Sequence, residues 1–221
     1  MRDAKASIAN ATKDATDARA WVSAARGCAM ACALMVFVDG ASARAVTETY
    51  VATLRATEAG RGASGTVTFV SETNRSNEEV VVITADVRGL TPGKHGINVH
   101  ENGDVEGCDD AGKCTGGSYN PEKRPHRGPT SLKKFGASAC HGRYDGCILN
   151  RHIGDLGNIV ADENGVSTTT IKDLYTSLKA GEKENIAGRS VVIRAGKDDY
   201  ETDEDDGNAG PIILYGQIAR K

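Results

Sequence analysis

The chain has 221 residues, enough for one sizeable domain with an appendage. Its formal net charge is −3, and the first 45 residues hold more bases than acids, so the remainder is more negative still. That balance excludes a polyanion-binding surface and gives no nucleic-acid partner. Aromatic residues make up only 5% of the chain while glycines number 26, which favours short strands joined by turns over a helical bundle.

Residues 1–27 are alanine-rich and polar, and residues 28–38 are continuously apolar. Small residues at Ala41, Ala43 and Ala45 follow. An apolar core of this length before an Ala-x-Ala pattern reads as a secretory signal or leader over 1–45, with cleavage near 43–45. It is too short to span a bilayer, so no membrane association is expected after its removal. The acids Asp3, Asp14 and Asp17 argue against a mitochondrial presequence, and an intracellular chain with an irregular head is the alternative. The domain proper is expected over 46–221.

From residue 50 the pattern is β. Alternation or branched residues predict strands over 50–54, 65–70 and 80–87. Asn74-Arg-Ser76, in the turn between the second and third, is a glycosylation sequon, as a secreted chain would place it. Residues 95–100 form a further strand with a histidine at each end. Residues two apart share a face, so Asn98 lies beside His100 where a second imidazole would make a metal-gripping pair. Residues 105–150 show no sustained period and hold Cys108, Cys114, Cys140 and Cys147. A loop this long in a compact domain is functional or disordered, and its cysteines and histidines favour function. Four cysteines allow three pairings, and spacing alone does not choose among them.

Strands return over 157–161, 166–171, 188–194 and 212–219. Eight strands with one long internal loop indicate an all-β, antiparallel Greek-key barrel or sandwich. Before the last strand, residues 198–206 hold seven acids in nine positions. Such a run reads as a solvated loop or as a weak Ca²⁺ binder.

These pieces together resemble the Cu/Zn superoxide dismutase family over roughly residues 48–220. The resemblance is carried by Gly89-Leu-Thr-Pro-Gly-Lys-His-Gly96, Val99-His100-Glu101, Gly103-Asp104, Asn120-Pro121 and Arg151-His-Ile-Gly-Asp-Leu-Gly-Asn158. Gly188-Arg189, Val191-Val192, Asp198-Asp199 and Gly207-Asn-Ala-Gly210 complete it. It implies an eight-stranded antiparallel Greek-key barrel with a long metal-type loop.

Carried over by position, the resemblance implies a zinc site with His126, His152 and Asp155 intact and Asp198 as the carboxylate orienting His126. The fourth zinc position, which in the family bridges to copper, is Ser118. The remaining copper positions are Asn98, His100 and Arg194, so one imidazole survives. Dismutation needs an ion cycling between Cu(II) and Cu(I), and imidazoles suit both states. Arginine has no lone pair and keeps its charge, so it stands in for the cation rather than binding it. Zinc is therefore the expected cofactor and copper is not. Two imidazoles and a carboxylate suit zinc, with water or His141 in the fourth place. A metal-free hydrogen-bonded cluster is the alternative.

His95 matches a histidine that braces strands. Arg151 and Asp173 match a structural pair, with an ordinary surface arginine as the alternative. The family's anion-guiding arginine matches Ile212, and the acidic run repels an anion that the family attracts. One partner of the family disulfide matches Cys108 and the other matches Tyr215, so Cys108 needs a new partner. Local bridges 108–114 and 140–147 are expected first, then cross-loop pairing, then a metal-thiolate site at Cys140, His141 and Cys147. No catalytic set is intact. The expected function is a secreted, dismutase-like binding or carrier protein, with a homo-oligomer or an unknown protein as partner. The alternatives are an active dismutase with a rebuilt site and a copper chaperone-type protein.

Overall fold

The computed structural model describes residues 48–75, 78–129, 132–134 and 147–221. The leader, Ser76 of the sequon, Cys140 and His141 lie outside these residues, as do the side chains of 132–134 and 147–149 and that of Asp205. The strands are β1 (Thr49–Ala56), β2 (Ser64–Thr73), β3 (Glu79–Arg88), β4 (Gly93–His100), β5 (Leu132–Lys134), β6 (Cys147–Leu149), β7 (Asp155–Ala161), β8 (Ser167–Asp173), β9 (Ser190–Arg194), β10 (Ile212–Gln217) and β11 (Ala219–Arg220). Eight of them run β7-β4-β9-β10-β1-β2-β3-β8, each antiparallel to its neighbours. The end strands β7 and β8 are joined by a tight turn, in which Asp162 N–H donates to Val166 O at 2.9 Å. The result is a nearly closed barrel, and the all-β expectation holds. The predicted strands are all present, with β5–β6 as a separate two-stranded hairpin inside the long loop.

Period-2 alternation sets what faces inward. Val67 and Phe69 of β2, Val81, Ile83, Ala85 and Val87 of β3, and Ile97 and Val99 of β4 fill the barrel. Burial of a core side chain such as Phe69 contributes about 1.5–3 kcal/mol. On β4 and β9 both faces are buried: Ile97, Val99, Val191 and Ile193 pack inside, while Asn98, His100, Ser190, Val192 and Arg194 are also closed to solvent. Loops cover that outer face, and the candidate site lies under them.

One irregularity aims a functional side chain. Ile97 pairs with Gly157 and Asn98 with Asp155, so Leu156 is an extra residue in β7. Gly157 at φ 95 accommodates the kink. Leu156 and Ile159, three apart, are thereby both in the core. Asp155 is turned to the outer face with Asn98.

His95 braces β4 to its surroundings, with Nδ1 2.8 Å from Arg194 O and Nε2 2.8 Å from Thr91 O. Arg151 is fully buried. It pairs with Asp173 and donates to Pro129 O (3.1 Å), His152 O (2.9 Å) and Asp155 O (2.8 Å). The other Asp173 oxygen accepts the Tyr175 and Thr176 N–H groups. Arg151 is thus a clamp on the His152–Asp155 turn, and the surface-arginine alternative is excluded.

Removing one member of a buried, fully bonded pair leaves an uncompensated charge, which costs about 3–5 kcal/mol. Asp173→Asn is therefore expected to lower unfolding free energy by about that amount, read as a lower urea midpoint at unchanged slope.

Candidate functional site

The outer face of β4, β7 and β9 carries two adjoining clusters. In the first, His126 comes from the long loop and His152 and Asp155 from the turn entering β7. Asp155 Oδ1 lies 3.0 Å from His126 Nδ1 and 3.2 Å from His152 Nδ1. Its Oδ2 accepts the backbone N–H of His152 at 3.0 Å and of Arg127 at 3.2 Å. The two imidazoles meet edge to face with centroids 5.5 Å apart. One donor atom from each of the three residues falls within 4.8 Å of the others, the spacing of a set able to hold one ion. His152 Nδ1 is buried with no hydrogen-bond partner despite its closeness to Asp155. Such an atom costs about 1–3 kcal/mol unless something meets it. A buried, unmet imidazole nitrogen beside a carboxylate and a second imidazole fits a divalent ion of zinc's chemistry.

Asp198 holds His126 from the other side, with Oδ1 2.8 Å from His126 Nε2. Asp198 is itself fixed by Asn158, which accepts its N–H at 2.9 Å and donates to its carbonyl at 3.0 Å. Burial alone would lower the His126 imidazole, but hydrogen bonds to Asp155 and Asp198 and their charges push it up to about 10. Burial alone would raise Asp155, and the hydrogen bond from His126 with the charges of the two histidines holds it below its usual value.

The second cluster centres on a residue that the sequence reading passed over. Asp206 Oδ2 lies 2.9 Å from His100 Nε2 and 2.5 Å from Arg194 Nη2. His100 Nδ1 lies 2.8 Å from Gly116 O and 3.0 Å from Thr115 Oγ1. Arg194 also donates to Gly210 O at 2.8 Å. Both ring nitrogens of His100 are thus engaged, Nε2 by a carboxylate. Burial alone would raise Asp206, but the hydrogen bond and charge of His100, with the Arg194 guanidinium, hold it well below the usual carboxylate range. Sequence shows Asp206 only as one acid among seven. The available signal was Arg194 itself, since a buried guanidinium requires a counter-charge.

The other flagged positions fall around these clusters. Asn98 is fully buried on β4, and neither amide atom has a partner. Ser118 bridges His100 through its backbone and its Oγ is buried without a partner. Ile212 is buried with Val105, Val192 and Tyr215 in a small apolar cluster, so no cation stands there. Cys108 and Cys114 form a disulfide and pack on that cluster, as expected of the local pairing. Tyr215 fills the space opposite them. Cys147 lies in β6, but its pairing with Cys140 falls outside the described side chains. Asn74 sits in its predicted turn, where it accepts the Glu78 N–H at 2.9 Å. Of the acids in the 198–206 run, Asp199 bonds within its own loop, its Oδ1 accepting the Glu201 and Thr202 N–H groups, while Asp203 Oδ1 accepts the His126 N–H.

Comparison with known proteins gives concordant matches. The family model described as copper/zinc superoxide dismutase matches residues 63–218. "Superoxide dismutase [Cu-Zn]" of Yarrowia lipolytica is 36% identical over 162 residues, covering 70% of this chain and 88% of that protein. "Superoxide dismutase [Cu-Zn] 2" of Brassica juncea is 34% identical over 173 residues, covering 76% and 95%. Among solved structures, the clock protein EA4 matches with a TM-score of 0.59 and 32% identity, over 78% of this chain and 94% of that one.

The ion triad generates a mutational and a pH prediction. Asp206→Asn leaves Arg194 and His100 buried without their anion and is expected to cost about 3 kcal/mol in chemical unfolding. Because the folded Asp206 carboxyl is held below the ordinary aspartate range, its stabilising contribution is complete above about pH 4–5. It is lost as pH falls through the folded value. The stability difference between the parent and Asp206→Asn should therefore shrink as the solution is acidified below about pH 4.

Proposed function

This chain belongs to the copper/zinc superoxide dismutase family, and on that premise we propose that it is a secreted, zinc-holding member that has given up copper. It has little or no dismutation and acts as a binding or carrier protein. The observation that carries this reading is the Asp206 carboxylate seated between His100 Nε2 and Arg194. An internal anion–cation pair there offers copper one imidazole already engaged and a fixed positive charge that repels it.

Three further features support the loss. Asn98 replaces an imidazole with an amide that finds no partner, and Ser118 places a short hydroxyl where the family's bridge stands. Asp198 keeps its hold on His126, yet its other oxygen, Oδ2, is buried with no partner. The carboxylate that would link two metal positions thus serves only one. Ile212 puts an apolar side chain where an anion would meet a cation, and the acidic run disfavours superoxide approach.

Zinc is supported by the convergence of His126, His152 and Asp155, and by the unmet His152 Nδ1. When bound, zinc would supply structural cross-linking between the long loop and the turn before β7. Secretion is supported by the leader pattern and by the Cys108–Cys114 disulfide, a bond kept in oxidising compartments.

Elemental analysis of the purified protein is expected to find zinc near one per chain and copper near zero, with superoxide decay near its uncatalysed rate. Tight stoichiometric copper with rapid superoxide consumption would overturn the reading. Asn98→His alone should not restore activity, because Ser118, Arg194 and Asp206 remain. Zinc affinity should weaken as pH falls, since His126 holds a proton up to about pH 10 in the metal-free protein and must release it.

A further inference from the structure

Residues 199–207 leave and rejoin the site at one neck, where Asp199 N–H donates to Gly207 O at 2.9 Å. Inside the loop, Gly207 N–H donates to Thr202 O at 2.9 Å. Compact loops whose ends meet in this way are frequently functional. This one lies directly on His126, which is fully buried. Asp203 Oδ1 accepts the His126 N–H at 2.7 Å, and a Cβ on Gly207 would sit 2.9 Å from His126 Nε2.

Tyr200 is strained in this loop. Its φ of 69 is left-handed, a region that Gly, Asn and Asp tolerate and a ring-bearing residue rarely enters. Such a conformation persists only where the surroundings over-determine it, and it marks switch regions more often than plain scaffold. The Tyr200 N–H donates at 2.7 Å to Asp198 Oδ1, the same oxygen that lies 2.8 Å from His126 Nε2. The ring crosses to the long loop, where a Cβ on Gly128 would lie 3.1 Å from Tyr200 Cγ and 3.3 Å from Cδ2. The hydroxyl reaches the bulge of β7, where a Cβ on Gly157 would lie 3.3 Å from Tyr200 Oη and 3.1 Å from Pro129 Cγ. Arg127 Nη1 ties the same two loops by donating to Glu201 O at 3.2 Å.

Two opposed forces therefore act on the loop. Glu201, Asp203 and Glu204 are exposed close together, and their mutual repulsion favours an open loop. The half-buried Tyr200 ring supplies apolar contact that favours a closed one. We infer that residues 199–207 are a gate over His126 and that the Tyr200 ring is its latch, seated in a notch left by Gly128 and Gly157. With the ring seated, Asp198 and Asp203 hold His126 from two sides. With it withdrawn, the Asp203 bond breaks and the His126–Asp198 edge meets water. Tyr200 is thus a positioning residue, and this role does not rest on the zinc reading.

The test is amide hydrogen exchange on the full chain as purified, read at His126 and Gly207, with the amides of β2 and β3 as internal reference. Tyr200→Asn keeps a side chain that tolerates the backbone but removes the ring. It is expected to speed exchange at His126 and Gly207 about tenfold, the equivalent of one half-buried ring, and to leave β2 and β3 unchanged. Tyr200→Phe, which keeps the ring, should stay within about twofold of the parent. Gly128→Ala fills the notch and should act like Tyr200→Asn. The two together should act no more strongly than either alone, because they remove one contact. Parental exchange at His126 and Gly207 in Tyr200→Asn, or fully additive effects in the double variant, would overturn the inference. So would equal acceleration in β2 and β3, which would show general destabilisation instead of a local gate.

Discussion

A guanidinium inside a protein keeps its charge, so its anion must be brought to it. Arg194 is buried at the end of β9, and the anion arrives from a loop that leaves and rejoins the barrel through residues 195–211. Asp206 takes a left-handed backbone conformation, φ 43 and ψ 68, to deliver its carboxylate. Aspartate is among the few residues with a side chain that tolerate that region. Gly207 follows at φ 84, where a Cβ would sit 1.9 Å from Asp198 Oδ1 and 2.9 Å from His126 Nε2. One dipeptide therefore does two things: Asp206 neutralises Arg194 and bonds His100, and Gly207 leaves room for the hydrogen bond that orients His126.

This arrangement separates two halves that the family joins. On the zinc side, the chain of contacts runs Asp155, His126, Asp198 and then Asn158. On the other side it runs Gly116, His100, Asp206 and Arg194. Asn98 lies on the face shared by both but bonds through its side chain to neither. Asp198 Oδ2 is likewise buried without a partner.

The barrel was legible in the sequence because alternation is a local signal: Val67 and Phe69, or Val81, Ile83 and Ala85, declare their faces by spacing alone. His95 and the Arg151–Asp173 pair were legible through the resemblance, and burial then removed the alternative for Arg151. The β7 bulge was not, since nothing in Asp155-Leu-Gly says that Leu156 and Ile159 share a face until β4 is paired beside them. Asp206 was hidden for a different reason. Seven acids crowd its run, and only the three-dimensional position of Arg194 distinguishes the one that goes inside. The same holds for Tyr215, whose ring fills the space beside a disulfide that closes locally instead of reaching β10.

On the reading proposed above, an ion pair stands where the family holds copper, and that changes what the fold depends on. A copper centre stabilises its surroundings only in proportion to ion supply, because binding free energy becomes folding free energy. The Asp206–Arg194–His100 triad is present in every folded copy and needs no ion. Its net worth is modest, since desolvating the charges cancels much of their attraction. What it secures is geometry: the acidic loop is tied down at Asp206, and with it the Gly207 approach that keeps Asp198 on His126. The Asp206–Arg194–His100 cluster is thus the scaffold on which the His126, His152 and Asp155 set is held.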